Sequence, residues 1–265
     1  MMFFVRCAVT WVVLLSFVSD VSAFLSQQPN HGIAPVKTLD PSLVLTWETE
    51  LEAKIREHLD ACPPMKDDCS PYMIGVMGIP GSGKSTSAEI LASILADVGA
   101  CIFPADGYHY SRAELESFPN ALDALWRRGA PDTFDAHKFV CDLKEIRYGN
   151  SECVLLPGFD HATADPVDGE HQFVRAQNNV VICEGLYLLH DDDGWEEVKD
   201  LFDFTVFVQA DVDKCMDRLK IRNKCIPGYT PEEIEHRVDV VDRVNAMTAT
   251  ETRHRADLVV KSAIM

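Results

Sequence analysis

Basic residues are scarce: 24 lysines and arginines stand against 42 aspartates and glutamates in 265 residues, a formal net charge of −18. Such a chain does not bind nucleic acid or an anionic membrane through overall charge, so any phosphate site must be built locally. Metal-binding cysteine patterns are missing too. The nine cysteines include no CxxC pair and no Cys/His spacing of a zinc site, and they fall well below the density of a disulfide scaffold. Cys62 and Cys69 flank a Pro-rich turn and are read, like the others, as free thiols. There is no internal repeat and no low-complexity block. Beyond the first 24 residues no apolar stretch approaches the roughly 20 residues a membrane-spanning helix needs, so no stable membrane anchor is expected. The rest is ordinary globular material, 47% hydrophobic and 25% charged, which suits one α/β domain with extensions.

The beginning of the chain reads as a leader. Arg6 precedes the apolar run Cys7 to Val18, and Val21-Ser22-Ala23 supplies the small residues that signal peptidase prefers, so residues 1–23 are expected to be a signal peptide. Residues 24–40 have no periodicity and only the closing Asp40 as an acid, and are expected to be a disordered leader. Ser22-Ala23-Phe24 resembles the cleavage motif of bipartite leaders that direct proteins to the complex plastids of algae such as diatoms. A plastid is therefore the expected destination, with secretion or the ER lumen as the alternative.

Residues 41–69 are expected to form a helical extension, because Trp47, Leu51, Ile55 and Leu59 recur at i, i+4 opposite Glu48, Glu52, Lys54 and Glu57. Cys62-Pro63-Pro64 ends it. Residues 70–265 form the main domain. Short apolar runs at Tyr72 to Met77, Ala100 to Pro104, Cys153 to Leu156, Val180 to Cys183, Phe204 to Val208 and Leu258 to Lys261 predict strands, and Ser87 to Val98 predicts a helix stopped by Gly99. Strands alternating with helices predict a three-layer α/β/α fold on a mostly parallel sheet.

Residues 78–85 read Gly-Ile-Pro-Gly-Ser-Gly-Lys-Ser, a GxxxxGK[ST] phosphate loop between a predicted strand and a predicted helix. Its glycines let backbone N–H groups turn toward phosphates, so Gly78, Pro80, Gly81, Ser82, Gly83, Lys84, Ser85 and Thr86 are the expected nucleotide contacts. Lys84 reaches the β- and γ-phosphates and the Ser85 hydroxyl suits Mg²⁺. ATP and Mg²⁺ are the expected cofactors. Val180 to Cys183 ends in Glu184, the expected second holder of the metal. Ala100 to Pro104 leads into Asp106, a carboxylate at the carboxyl edge of the sheet, suited to orienting and deprotonating an acceptor hydroxyl.

GIPGSGKS, DGYHY and ICEG together resemble the phosphoribulokinase/uridine kinase family of P-loop kinases, over roughly residues 70 to 261. The resemblance implies a P-loop NTPase fold with a small lid, Asp106 as catalytic base and Glu184 at the metal. Residues 129–135, GAPDTFD, and 157–161, PGFDH, resemble the family's acceptor-binding segments, as does Asp165-Pro166. On that footing Tyr108, His109, Asp132, Phe159, Asp160 and His161 face a small-molecule alcohol. One helix expected from Asp211 to Asn223 takes the lid's place, where Arg218 and Arg222 share a face and can close over the transferred group. Of the adjacent Arg127 and Arg128, at most one can face an anionic acceptor. Asn245 lies in the region the family places near adenine.

Departures from the family are equally specific. The Arg-rich lid signature and the YDFxxHxR acceptor motif of uridine kinases are incomplete, which puts a nucleoside acceptor in doubt beside pantothenate-like or sugar-like ones. The phosphate loop has no redox cysteine, although Cys101 and Cys183 adjoin the two carboxylate motifs. Asn223-Lys224-Cys225-Ile226 fails as a guanine-reading motif, which disfavours a GTPase switch. A non-catalytic ATP-binding regulator is the alternative reading, and a homodimer is compatible with the sequence.

Overall fold

The protein is described from a computed structural model, in which residues 47–61, 70–160, 162–224 and 230–262 are described. The expected leader, residues 62–69 with Cys62 and Cys69, and His161 lie outside the described residues.

Five strands form a parallel sheet: β1 (Tyr72–Met77), β2 (Ala100–Pro104), β5 (Val180–Gly185), β6 (Phe204–Gln209) and β7 (Leu258–Lys261), in the order β2-β5-β1-β6-β7. Alternation along these strands sends side chains to opposite faces. Met73 and Met77 join Phe103, Phe139, Leu143, Trp195 and Phe207 on one face. Ile74 and Val76 join Leu91, Val180, Ile182 and Val206 on the other. Both faces are covered, as the continuous apolar runs require.

The remaining expected strand differs. The Cys153 to Leu156 run belongs to β3 (Cys153–Asp160), which pairs antiparallel with β4 (Asp165–Val174) as a separate two-stranded hairpin. Leu156 and Phe173 bury its inner face against α5 (Ala136–Tyr148).

Helix α1 (Trp47–Ala61) is part of the core rather than an appendage. Leu51 and Ile55 are buried among Ile74, Leu91 and Val206, and Arg56 donates to both oxygens of Asp97 at 2.9 Å. Helix α2 (Lys84–Ile94) follows the phosphate loop. Two short helices, α3 (Arg112–Glu116) and α4 (Ala121–Trp126), precede α5. After β6 come α6 (Val212–Asn223), α7 (Pro231–Arg237) and α8 (Arg243–Glu251), the last two joined by a π-type turn, Val238–Asp242. Cys215, Met216, Leu219, Ile234, Val238, Ala246 and Ala249 hold these three helices together, with Ile79 of the phosphate loop inserted among them.

Candidate active site

Sheet register brings three motifs side by side. Glu184 of β5 lies level with Val76 of β1 on one side and Pro104 of β2 on the other. β1 runs on into the phosphate loop and β2 into Asp106, so both loops leave the same carboxyl edge that Glu184 ends. This is where open α/β sheets bind ligands.

The phosphate loop is shaped by Gly81 and Gly83, at φ +79° and +90°. Those left-handed values suit glycine. Gly78 is required for a different reason: a Cβ there would stand 2.5 Å from Ser82 Oγ and 2.9 Å from Val208 O. At the start of α2, Ser85 Oγ donates to Glu184 Oε1 at 3.0 Å, and Lys84 Nζ stands 3.7 Å from Glu184 Oε2. Burial raises the pKa of Glu184 and nearby Asp106 adds to this, while Lys84 and the Ser85 hydrogen bond oppose it. Glu184 Oε2 is buried without a hydrogen-bond partner. A hydroxyl beside a half-satisfied hard carboxylate oxygen, next to a phosphate loop, is a donor set that fits Mg²⁺.

Asp106 sits on the single turn Ala105–Tyr108 and lines a cleft of about 1220 Å³ with Lys84, Ser85 and Glu184. Two glycines hold that turn in place. A Cβ at Gly107 would lie 2.3 Å from Pro157 O, and one at Gly185 would lie 2.8 Å from Ala105 Cβ. The DGY turn thus meets the PGF backbone through Gly107 and the EG segment through the Ala105 side chain, which holds it between the two.

Beyond Asp106 the cleft is aromatic and basic. His109 Nδ1 hydrogen-bonds with Asp106 O at 2.8 Å. Its ring lies 3.8 Å from Phe134 and 4.9 Å from Phe159, and the Arg128 guanidinium stands 5.8 Å over the Phe159 ring. Arg128 donates to Tyr110 O, to Ala164 O and to Asp165 Oδ1, tying the hairpin to the segment after Asp106. Its own carbonyl accepts from Arg237 of α7 at 2.7 Å. Arg127 turns the other way and pairs with Asp123 and Asp132, both at 2.8 Å. Only Arg128 of the two lines the cleft.

The helix expected to form the lid, α6, lines the cleft with Leu219, Arg222 and Asn223. Arg218 Nη1 donates to Gly81 O at 3.0 Å, and Arg222 lines the cleft. Asp242, on the π-type turn, lines it too; burial raises its pKa while Arg237 and Arg222 oppose that.

Several expected acceptor contacts are placed elsewhere. Tyr108 is buried, its hydroxyl donating to Asp142 at 2.9 Å and its ring edge-on to Phe139, because the turn aims it into the core. Asp132 is exposed and held by both Arg127 amino groups. Asp160 accepts from Ala162 N and Thr163 Oγ1, closing the hairpin turn, and is not among the described residues lining the cleft. Among the expected nucleotide contacts, Thr86 is exposed on the first turn of α2, next to Ser85. Asn245 is buried and lines the cleft, with its Nδ2 3.2 Å from where a Cβ of Gly129 would be. That neighbour belongs to the acceptor-like GAPDTFD segment, so Asn245 stands beside that segment in the cleft.

The cleft also holds residues that sequence reasoning passed over: Arg112, Glu170, His171, Arg237 and Asp242. Glu170 and His171 lie in β4, whose sequence DPVDGEHQFV carries a proline, a glycine and no apolar alternation. Glu170 packs over Gly158, where a Cβ would meet its Oε2 at 1.7 Å and its Cβ at 2.8 Å.

A protein-family model described as "Phosphoribulokinase / Uridine kinase family" matches residues 73–264. A Schizosaccharomyces pombe protein named as a candidate uridine kinase is 33% identical over 195 residues, 71% of this chain and 82% of that protein. The ATP-dependent kinase YFH7 of Lachancea thermotolerans is 33% identical over 52% of this chain, and a pantothenate kinase of Rhodococcus opacus 32% identical over 56%. The matched stretch spans only about half of each of those two relatives, 48% and 46%. Among solved structures, a candidate fructose transport system kinase from Silicibacter sp. TM1040 superposes with a TM-score of 0.67 at 29% identity, covering 79% of this chain and 98% of that one. A phosphoribulokinase from Rhodobacter spheroides shares the fold at a TM-score of 0.54 and 17% identity.

Proposed function

The chain belongs to the phosphoribulokinase/uridine kinase family, and from that premise we propose that it is an Mg·ATP-dependent kinase that moves the γ-phosphoryl group to a hydroxyl of a small-molecule acceptor. The observation that carries this reading is the meeting of Lys84, Ser85, Glu184 and Asp106 in one cleft at the carboxyl edge of the sheet. A nucleotide-binding regulator needs the first two. It has no use for a carboxylate placed as a base across from them.

The residues divide the work. Loop amides and Lys84 hold the triphosphate, and the α2 N-terminus favours its charge. Ser85 and Glu184 would hold Mg²⁺, which neutralises phosphate charge when bound. Asp106 takes the proton of the acceptor hydroxyl as its oxygen bonds to the γ-phosphorus and the bond to the β-phosphate oxygen breaks, releasing ADP. Arg222 can approach the transferred group from α6 while Arg218 fixes α6 to the loop at Gly81. Such a site works chiefly by positioning and charge complementarity.

The test is ADP release by the purified protein with Mg²⁺ and a panel of alcohols, run beside Asp106→Ala. Acceptor-dependent release that the substitution removes supports the kinase. Tight ATP binding with no turnover on any alcohol favours the regulator, and no ATP binding refutes both.

A further inference from the structure

This inference rests on the kinase reading and concerns what the acceptor carries besides its hydroxyl. The cleft has two cationic centres. Lys84 and the phosphate loop make the first, and they account for the triphosphate. The second lies where Arg112, Arg128 and Arg237 line the cleft around the hairpin and the His109-Phe159 stack.

Each of the three is placed by the backbone. Arg112 N donates to Asp165 Oδ1 at 3.0 Å, and the Arg112 guanidinium enters no ion pair among the described residues. Arg237 is fixed by the carbonyls of Trp126 and Arg128, at 2.9 and 2.7 Å. Arg128 is the most enclosed, its side chain 9% exposed. A guanidinium has five N–H groups. Arg128 uses four in bonds to Tyr110, Ala164 and Asp165, which leaves one for a ligand.

Two of the three guanidiniums at this end, those of Arg112 and Arg237, enter no ion pair among the described residues. Burial lowers the pKa of Arg128, and Arg112 and Arg237 push in the same direction, while Asp165 opposes them. Asp165 is the carboxylate paired with Arg128 here. Glu116, Glu170 and Asp242 also line the cleft, but among the described residues none of them forms an ion pair with Arg112 or Arg237, and burial disfavours the charge of Asp242. In a chain of net charge −18 the general field repels anions, so a small anionic substrate needs a local centre of this kind to enter. A neutral alcohol gains nothing from it.

We propose that the acceptor carries an oxyanion, carboxylate or phosphate, seated against Arg112, Arg128 and Arg237, with its hydroxyl turned to Asp106. Arg112 and Arg237 supply donors from α3 and α7, and Arg128 supplies charge and one N–H.

The experiment compares matched pairs on the full chain: glycerate against glycerol, pantothenate against pantothenyl alcohol, and ribose 5-phosphate against ribose. ADP release is measured for each, and thermal stabilisation of the protein by each is measured with a non-hydrolysable ATP analogue and Mg²⁺. At least one anionic member is expected to exceed its neutral partner in both measurements, and which pair responds separates carboxylate from phosphate. Arg112→Gln should lower kcat/KM for that acceptor about tenfold or more with KM for ATP unchanged, while Arg112→Lys should retain most of the preference. Turnover of both members of every pair alike overturns the inference and leaves the kinase standing. Absence of turnover with ATP bound leaves the stabilisation to decide: no preference for any anionic member there overturns the inference as well.

Discussion

Ser85 Oγ donates to Glu184 Oε1 across 3.0 Å, which joins the last residue of the phosphate loop to the last carboxylate of β5. The other oxygen of Glu184 is left to Lys84 at 3.7 Å. The pairing sets a pH dependence. Burial raises the pKa of Glu184 above its ordinary 4.5, so as pH falls the buried carboxylate takes up a proton before an exposed one would. Mg²⁺ needs the carboxylate, so metal-dependent nucleotide binding should weaken as pH falls through that raised value. Titration calorimetry of ADP with and without Mg²⁺ across pH 4.5 to 8 checks this. Glu184→Gln should abolish the pH dependence and weaken the metal effect roughly 10–100-fold. A metal effect unchanged down to pH 4.5 would contradict the assignment.

Gly107 touches Pro157 with no room for a methyl group, since a Cβ would lie 2.3 Å from the carbonyl oxygen. Its φ is not in the left-handed region, so Gly107→Ala isolates close approach from backbone strain. The substitution should destabilise the protein by about 1–3 kcal/mol and also displace Asp106, lowering kcat more than it raises KM for ATP. Urea unfolding together with steady-state kinetics separates the two effects. A variant as stable and as active as the parent would show that the two loops do not interlock.

The legibility of this chain follows from where its signals are local. Continuous apolar runs marked all five strands of the parallel sheet, with β1, β2 and β7 at their observed limits; the central strands β1, β5 and β6 are apolar because both their faces are buried. Lys84, Ser85, Glu184 and Asp106 follow directly from such strands, so placing the strands placed these residues. The hairpin was half hidden. β4 pairs with β3 over one buried face and carries Glu170 and His171 in a polar sequence that gives no period-2 pattern. Side-chain direction was also out of reach: Tyr108 and His109 are adjacent, yet the turn sends one to the core and the other to the cleft. Arg237 and Asp242 are brought to the cleft by the packing of α7 and α8, which no spacing in the sequence records.

Arg127 and Arg128 give a paired contrast in stability. The Arg127 pairs with Asp123 and Asp132 are exposed, their carboxylate side chains 56% and 43% accessible. Exposed pairs contribute about 0–1 kcal/mol, so Arg127→Ala should stay within that range. Arg128→Ala removes the donors to Tyr110 O, Ala164 O and Asp165. Leaving such groups unsatisfied costs about 1–3 kcal/mol, and amide exchange in the hairpin should quicken. Equal losses in the two variants, measured by chemical denaturation, would contradict the placement of Arg128.

Tyr108 tests the boundary between core and cleft. Its hydroxyl donates to Asp142 at 2.9 Å and Lys138 Nζ lies 5.0 Å above its ring. Burial first, then the charge of Asp142, raises the phenol's pKa above the ordinary value of 10.0. The folded state therefore favours the neutral phenol more than the unfolded state does. The linked stability is fully present below the unfolded value of about 10 and is lost as pH rises past it, because the unfolded chain then releases a proton that the folded one retains. Tyr108→Phe removes that proton along with the hydrogen bond. It should cost about 1 kcal/mol near neutral pH and flatten the loss of stability between pH 9 and 11, with KM for any acceptor unchanged. An acceptor KM that rose in Tyr108→Phe while stability held would return the residue to the cleft wall.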